Sequence, residues 1–497
     1  MLLLILAVDV ALTYRSYGFT TDEAVDHLKA VRIVDFFVSH GANRELTKVD
    51  EINIYGAMPD LLALFLQKLV PSLSYDSRHL VSAVFGTIGI YYVYRLGRAF
   101  ISPAAGLFAA LFLACNPMWF GHMFFNTKDI PFAAMLLAAL YYCLDALTGR
   151  TGNGWIWLKA GLATGLFAST KLIAIPVLGV IGLASLGCLI CVPANAPVPL
   201  DRALLIRLAK LTGAATLGCL LCFAAFWPQF FLFGPAELVR IVHLFMDYEP
   251  WQGTVQIHGD YIPFDKVPWY YTSAYIAISM PLVLLALAAV GAVAGIGRRQ
   301  PFVIAAAIVC IVFPAYQAIS DARALNGYRH FIFLVPFLML IAAYPIGYVL
   351  TEYRAGVIRV GVVVLVSIAM LPSLISVYQL FPYQYTFYNS LVGGVRGANG
   401  RYYIDLWRSA LREALRRIED FDDAKGTIGV YGSCGSTFSF AEHPRFKPIE
   451  KPDDADYIVV LRRGCDPANP PVTDWPIVGE VRRQGVLFAA IHARRSK

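Results

Sequence analysis

Eleven apolar stretches dominate the chain, at residues 1–17, 80–97, 103–120, 130–147, 155–170, 172–192, 203–227, 270–295, 302–319, 331–350 and 357–378. Each approaches the roughly 20 residues that carry a helix across a bilayer. The runs are unbroken and lack the two-residue alternation of outer-membrane strands. The pattern predicts a polytopic α-helical membrane protein. One division, at Lys171, cuts a long apolar region that also reads as a single span.

The connections between these runs fall into two kinds. Short loops carry Arg95 and Arg98, Arg150, Arg202, Arg298 and Arg299, and Arg354. The alternate loops are longer and mixed in charge, above all 18–79 and 228–269. Arginine-bearing short loops favour the cytoplasm, so the long loops are expected outside. An odd number of spans then places the tail, 379–497, outside as well. Within it TIGVYGS, YIVVLRR and GVLFAAIHA read as strands, and DLWRSALREALRRIED has apolar residues at helical spacing. The expected organisation is a transmembrane domain over 1–378 and a small extracytoplasmic α/β domain over 379–497.

Composition agrees. Of 497 residues 58% are hydrophobic and only 15% charged, against about 25% charged in soluble proteins; mean hydropathy is +0.59. Nothing in the net charge of +7 marks a nucleic-acid partner. Nine cysteines are scattered without metal-ligand spacing. An oxidising compartment would permit a Cys434–Cys465 disulfide, which sequence alone does not establish. Met1 to Tyr14 lacks the basic flank and small-residue cleavage site of a signal peptide. It reads as a first transmembrane helix, and a start upstream of Met1 stays open.

Charged residues at the ends of apolar runs carry the candidate chemistry. Asp22 and Glu23 open the first long loop, Lys128 and Asp129 open the fourth run, Lys171 sits between apolar flanks, and Arg329 stands at the mouth of the tenth. On the expected topology all face one side. An ionisable group beside lipid is costly unless paired, solvated or used. Carboxylates with fixed cations suit a phosphate leaving group and a hydroxyl nucleophile: the cations hold the phosphate and a carboxylate takes the proton. Plainer readings stand beside these. Asp22 or Glu23 caps the helix of DEAVDHLKAVRIVDFF; Asp129 pairs with Lys128; Lys171 snorkels; Arg329 meets lipid phosphate. His122, His258 and His330 have no metal-binding spacing. The segment DYEPWQGTVQIHGDYIPFDKVPWYY suits a sugar or headgroup, or an interfacial aromatic belt; Trp269, Tyr270 and Tyr271 fit the belt, while His258 and Asp260 stay open.

The ordered blocks TTDEAVDHLKA, NPMWFGHMFFNTKDIPFAA, GLATGLFASTKL, HGDYIPFDKVPWYY, GYRHFIFLVP and YNSLVGGVRGANGRYYIDLWRSALREA resemble the GT-C class of membrane glycosyltransferases. The resemblance is to glycosyltransferase family 39, the protein O-mannosyltransferase and aminoarabinose-transferase relatives. It implies a GT-C fold, a polyprenyl-phosphate-sugar donor and a protein, lipid or polysaccharide acceptor on the outer face of a plasma or bacterial inner membrane. Asp22 then matches the family's base with Glu23 its neighbour, Asp129 the second acidic position, and Lys171 and Arg329 the positions that bind donor phosphate. Lys128, His330, His258 and Asp260 join them as candidate substrate-binding residues. The short first span, His330 where the family often has Tyr, and the missing soluble insertion of eukaryotic protein mannosyltransferases leave the acceptor open.

The expected function is inverting transfer of a sugar, hexosyl or pentosyl, with no cofactor required and a divalent metal compatible with the carboxylates. The alternative is a multi-pass transporter or lipid flippase. That class tends to place charges near mid-membrane and to show internal repeats, and no convincing repeat is visible here.

Overall fold

The computed structural model describes the chain except residues 51, 172, 193–197, 248–252, 320–325, 423–425, 433–444, 462–473 and 495–497. Cys434 and Cys465, whose pairing the sequence leaves open, lie outside the described residues. Every predicted apolar run is helical, and the break at Lys171 is real: helices Trp155–Ala168 and Ala174–Cys191 flank it. Among the described residues seven helices are long and apolar enough to cross a membrane. Trp155–Ala168 is shorter, at 14 residues.

Three predicted spans are not straight, and prolines account for two of them. The run 103–120 becomes Pro103–Ala114 and Pro117–Phe125, bent by 63°. Pro117 disfavours helical backbone at the residue before it, and Asn116 caps the second piece by accepting from the Met118 and Trp119 amides. The run 270–295 becomes Tyr271–Ser279 and Leu282–Gly297, bent by 115° at Met280–Pro281. The first run ends earlier than expected, as helix Leu2–Thr13 followed by a 3-10 turn, Tyr14–Ser16. The chain then turns by 101° into the polar helix Thr21–Val38, which runs off the line of the span.

Contacts between loops sort the helix ends into two sets. At one end Arg150 donates to the Ala99 carbonyl and Arg207 to that of Leu147, beside the arginine-bearing loops. At the other, Trp227 and Gln229 donate to Asn53, and Asp22, Asp129, Lys171 and Arg329 meet. Asp22, Asp129, Lys171 and Arg329 therefore share one end of the bundle, as the topology required.

Helices Trp155–Ala168 and Arg202–Phe226 pack backbone to backbone. A Cβ built on Gly218 would lie 1.9 Å from the Gly161 carbonyl oxygen, and one on Gly165 would lie 2.2 Å from that of Gly218. Small residues permit this approach where lipid supplies no hydrophobic drive between helices.

A hairpin, β1 (Thr254–Ile257) and β2 (Asp260–Pro263), stands in the long loop before residue 271. The tail holds β3 (Ile428–Gly432), β4 (Phe446–Pro448), β5 (Tyr457–Leu461), β6 (Ile477–Arg483) and β7 (Val486–Ala493), in sheet order β4-β3-β5-β7-β6. The β4, β3 and β5 strands are parallel, while β7 runs antiparallel to both β5 and β6. Strands were expected at β3, β5 and β7. The tail helix is Ala410–Phe421, shorter than its apolar pattern. Asp405 stops it: its carboxylate accepts from the Ser409 and Ala410 amides, a capping geometry. Leu411, Leu415 and Ile418 pack with Val459, Phe488 and Ile491, and this core runs without interruption into the helical bundle. The Tyr383 ring stacks on Phe488 at 4.9 Å, and Arg483 ties β6 to the Phe381 carbonyl at 2.7 Å.

Gly218→Leu should force the two glycine-packed helices apart and cost about 1–3 kcal/mol or more as overpacking does. A lowered thermal midpoint of the detergent-solubilised protein is the expected readout; an unchanged midpoint would contradict the packing described.

Candidate active site

Asp22 stands in the first turn of helix Thr21–Val38, and the helix start explains its neighbour. Thr20 and Glu23 occupy the capping-box positions at the helix start, where the Glu23 carboxylate accepts the Thr20 amide at 3.0 Å. The same oxygen faces His79 Nε2 at 3.2 Å, and Glu23 is fully buried. Of the two adjacent acids, Glu23 therefore serves the helix start. Asp22 is about one-third exposed and accepts from Arg329 Nη1 at 3.0 Å. Burial acts to raise its pKa, but Arg329 and Lys128 outweigh it and hold the carboxyl below its ordinary 3.8.

Asp129 opens helix Asp129–Thr148 and is clasped by Asn126. The Asn126 Oδ1 takes the Asp129 amide at 2.8 Å, and its Nδ2 donates to Oδ2 at 2.9 Å. Lys171 donates to Oδ1, and His330 Nδ1 lies 3.9 Å away. Consecutive residues thus reach the two acids, Arg329 reaching Asp22 and His330 reaching Asp129. The Arg329 guanidinium also lies 5.7 Å from the Trp407 ring centre, within cation–π reach. Asn126 was not anticipated from sequence; its place in NTKD, three residues before the acid, is the trace it leaves.

Lys128 turns away from Asp129 and pairs with Asp26 at 3.0 Å. Sequence reasoning missed Asp26, although it lies one turn after Asp22, where side chains share a helix face. Asp26 also accepts from Thr127 at 2.7 Å and faces Lys29 at 3.4 Å. Lys29 bridges to Asp60 at 2.7 Å, and Arg78 closes on Asp60 at 3.0 Å. Asp26, Lys29, Asp60 and Arg78 are all buried. Burial would raise the Asp26 pKa, but Lys128, Lys29 and Arg78 overcome this and hold it low. The network fixes the helix that bears Asp22 to residues 127–128 beside Asp129.

His258 and Asp260 sit elsewhere. His258 is the first residue of the β1–β2 turn, at φ 55° with Gly259 at 104°, and its Nδ1 faces the Tyr402 hydroxyl at 3.0 Å. Asp260 is exposed on β2. No described contact joins either to the Asp22 or Asp129 pairs. A small cavity does adjoin those pairs. Arg329 and His122 line it together with Tyr275, Tyr385, Tyr388 and Asp405, and His122 Nδ1 lies 3.2 Å from Asn126 Nδ2. Among the described residues no three His, Cys, Asp or Glu side chains converge as a metal site.

The arrangement offers two carboxylates, each held by a cation, beside a phenol-lined cavity. A family model described as dolichyl-phosphate-mannose-protein mannosyltransferase matches residues 58–227, about a third of the chain. No curated protein matches by sequence. Among solved structures, ArnT from Cupriavidus metallidurans in the apo state is 15% identical, with a TM-score of 0.52 over 99% of this chain and 97% of that one. The same protein bound to undecaprenyl phosphate gives 14% and 0.51 over the same shares. The oligosaccharyltransferase AglB from Archaeoglobus fulgidus, in complex with an inhibitory peptide and a dolichol-phosphate, is 15% identical with a TM-score of 0.44, over 89% of this chain and 66% of that one.

Lys29→Met should leave Asp26 to Lys128 and Asp60 to Arg78 as their one remaining cation each, and cost up to about 3–5 kcal/mol, the range for loss of a partner from a buried charge network. Thermal unfolding in detergent checks this, and an unaltered midpoint would show the network to be idle.

Proposed function

We propose that this chain, a multi-pass membrane protein with the GT-C glycosyltransferase fold, moves a sugar from a polyprenyl-phosphate donor to an acceptor on the outer face of the membrane. The observation that carries the reading is the double pairing at one end of the bundle, Asp22 with Arg329 and Asp129 with Lys171. Undecaprenyl phosphate on ArnT, which shares the fold, supports a polyprenyl phosphate as the leaving group.

The donor phosphate enters beside Arg329 and Lys171 and competes with the two carboxylates for these cations. As Arg329 turns toward phosphate, Asp22 loses the partner that keeps its pKa low and becomes a stronger base. The acceptor hydroxyl gives its proton to Asp22 and its oxygen attacks the anomeric carbon. The bond from that carbon to the phosphate oxygen breaks on the opposite face, and polyprenyl phosphate leaves with the electron pair and one more negative charge, which the cations stabilise. One displacement inverts the centre. Asp129, held by Asn126, keeps Lys171 in reach; Glu23 positions the helix rather than meeting substrate. The scheme requires no divalent ion, since Arg329 and Lys171 supply the positive charge. Phenols of the cavity beside Arg329 are suited to sugar hydroxyls. With the arginine-bearing loops facing the cytoplasm, this end of the bundle and the tail lie outside.

Asp22→Asn should leave the fold intact and lower transfer from a polyprenyl-phosphate sugar by about 10²–10⁴-fold, the range for loss of a general base. Retained transfer by the purified variant would refute the assignment. The same base sets a pH signature. Ionised Asp22 is the active form and its pKa lies below 3.8 in the free protein, so kcat/KM should hold from neutral pH down past that value. Arg329→Gln removes the lowering partner and should move the acid limb to higher pH. A limb that stays in place would separate Asp22 from the rate.

A further inference from the structure

We infer that the C-terminal domain holds Asp22 in position through a buried relay, Arg412 to Asp76 to His79 to Glu23, which makes Arg412, Asp76 and His79 positioning residues for the base. The inference rests on the reading of Asp22 as the base. Arg412 projects from the tail helix Ala410–Phe421 and grips Asp76 with its two terminal guanidinium nitrogens, Nη1 to Oδ1 at 2.5 Å and Nη2 to Oδ2 at 3.1 Å. Asp76 Oδ1 lies at ion-pair distance, 3.6 Å, from His79 Nδ1, which also faces the Tyr14 carbonyl oxygen at 3.3 Å. On the far side of the ring, Nε2 meets the Glu23 oxygen that also takes the Thr20 amide. The cap of the Asp22 helix is thus completed by a side chain from another helix, itself braced by the tail.

Further contacts run along the segment between. Arg412 Nη1 donates to the Tyr17 carbonyl at 2.7 Å, and its guanidinium carbon lies 4.6 Å from the Phe19 ring centre. Phe19 stacks on His79 with centroids 5.6 Å apart and planes 28° from parallel. A Cβ on Gly18 would fall 2.0 Å from the Ser409 carbonyl oxygen, so residues 17–20 press on the tail backbone. A helix start is the part of a helix most prone to fray, because its first amides have no partner within it. Asp22 stands in that first turn. The relay converts a local cap into one that depends on the folded tail, and His79 and Glu23 are fully buried within it, where loss of any one charged partner leaves the next uncompensated.

The test uses the full chain in lipid nanodiscs, with Arg412→Gln and His79→Gln. Amide exchange in residues 17–25 should quicken about tenfold in both variants, a local opening, while β5 and β7 keep their protection. In the same variants kcat should fall about tenfold, with KM for the donor changed less than about twofold, as loss of positioning rather than of binding predicts. Arg412→Lys, which keeps charge but loses the two-pronged grip, should recover part of both. Unchanged exchange at 17–25 overturns the relay, as does joint loss of protection in β5 and β7, which would make Arg412 a fastener of the whole domain. Loosened 17–25 with unchanged kcat overturns its link to the base. Should the unaltered protein transfer no sugar, the reading of the site fails while the exchange data still decide the relay.

Discussion

A carboxylate at the edge of a bilayer is costly unless it is paired, solvated or used, and pairing with cations organises this end of the bundle. Arg329 answers Asp22 and Lys171 answers Asp129. Because His330 follows Arg329 and approaches Asp129, one short turn links the two acids across more than a hundred residues of sequence. Helices that would otherwise meet only through apolar contacts are cross-tied by charge where the lipid gives way to water. In the reaction we propose, the ties are also convertible: each cation that stabilises an acid receives the donor phosphate instead.

Behind these convertible pairs lies a set built to stay. Asp26, Lys29, Asp60 and Arg78 are buried and paired chiefly with one another, with Lys128 and with Thr127. Exposure sets Asp22 apart: it is about one-third exposed, whereas Asp26 and Asp60 are closed off and Asp129 is buried as they are. A chemical group needs access, and a brace needs none. The same contrast divides the adjacent acids, since successive residues on a helix point about 100° apart and only one of the two keeps an open face.

Much of this was written in the sequence because long apolar runs set where helices end, and alternation of their direction sorts the ends. Asp22, Asp129, Lys171 and Arg329 could be gathered on one side without knowing a single contact. What the runs do not encode is pairing. Thr127 to Asp26 and Arg412 to Asp76 join residues far apart in the chain, and neither leaves a periodic mark. The Asn126 clasp and the exchange of Lys128 from Asp129 to Asp26 are likewise decided by packing. His258 illustrates a different loss: in TVQIHGDYIP the His-Gly step between alternating segments is a hairpin signal, yet the aromatic wealth around it suggested a ligand surface. The bends at Asn116–Pro117 and Met280–Pro281 were marked by their prolines, but a hydropathy profile reads across them.

The unbroken core between bundle and sheet has a consequence for engineering. A chimera that exchanges residues 379–497 for those of another chain of this fold would bring a foreign partner to the Tyr383–Phe488 stack and to the loop around Gly18. Such grafts should tolerate exchange only when the first loop and the start of the second long helix travel with the tail. Those three stretches form one heritable unit, however far apart the chain has spaced them.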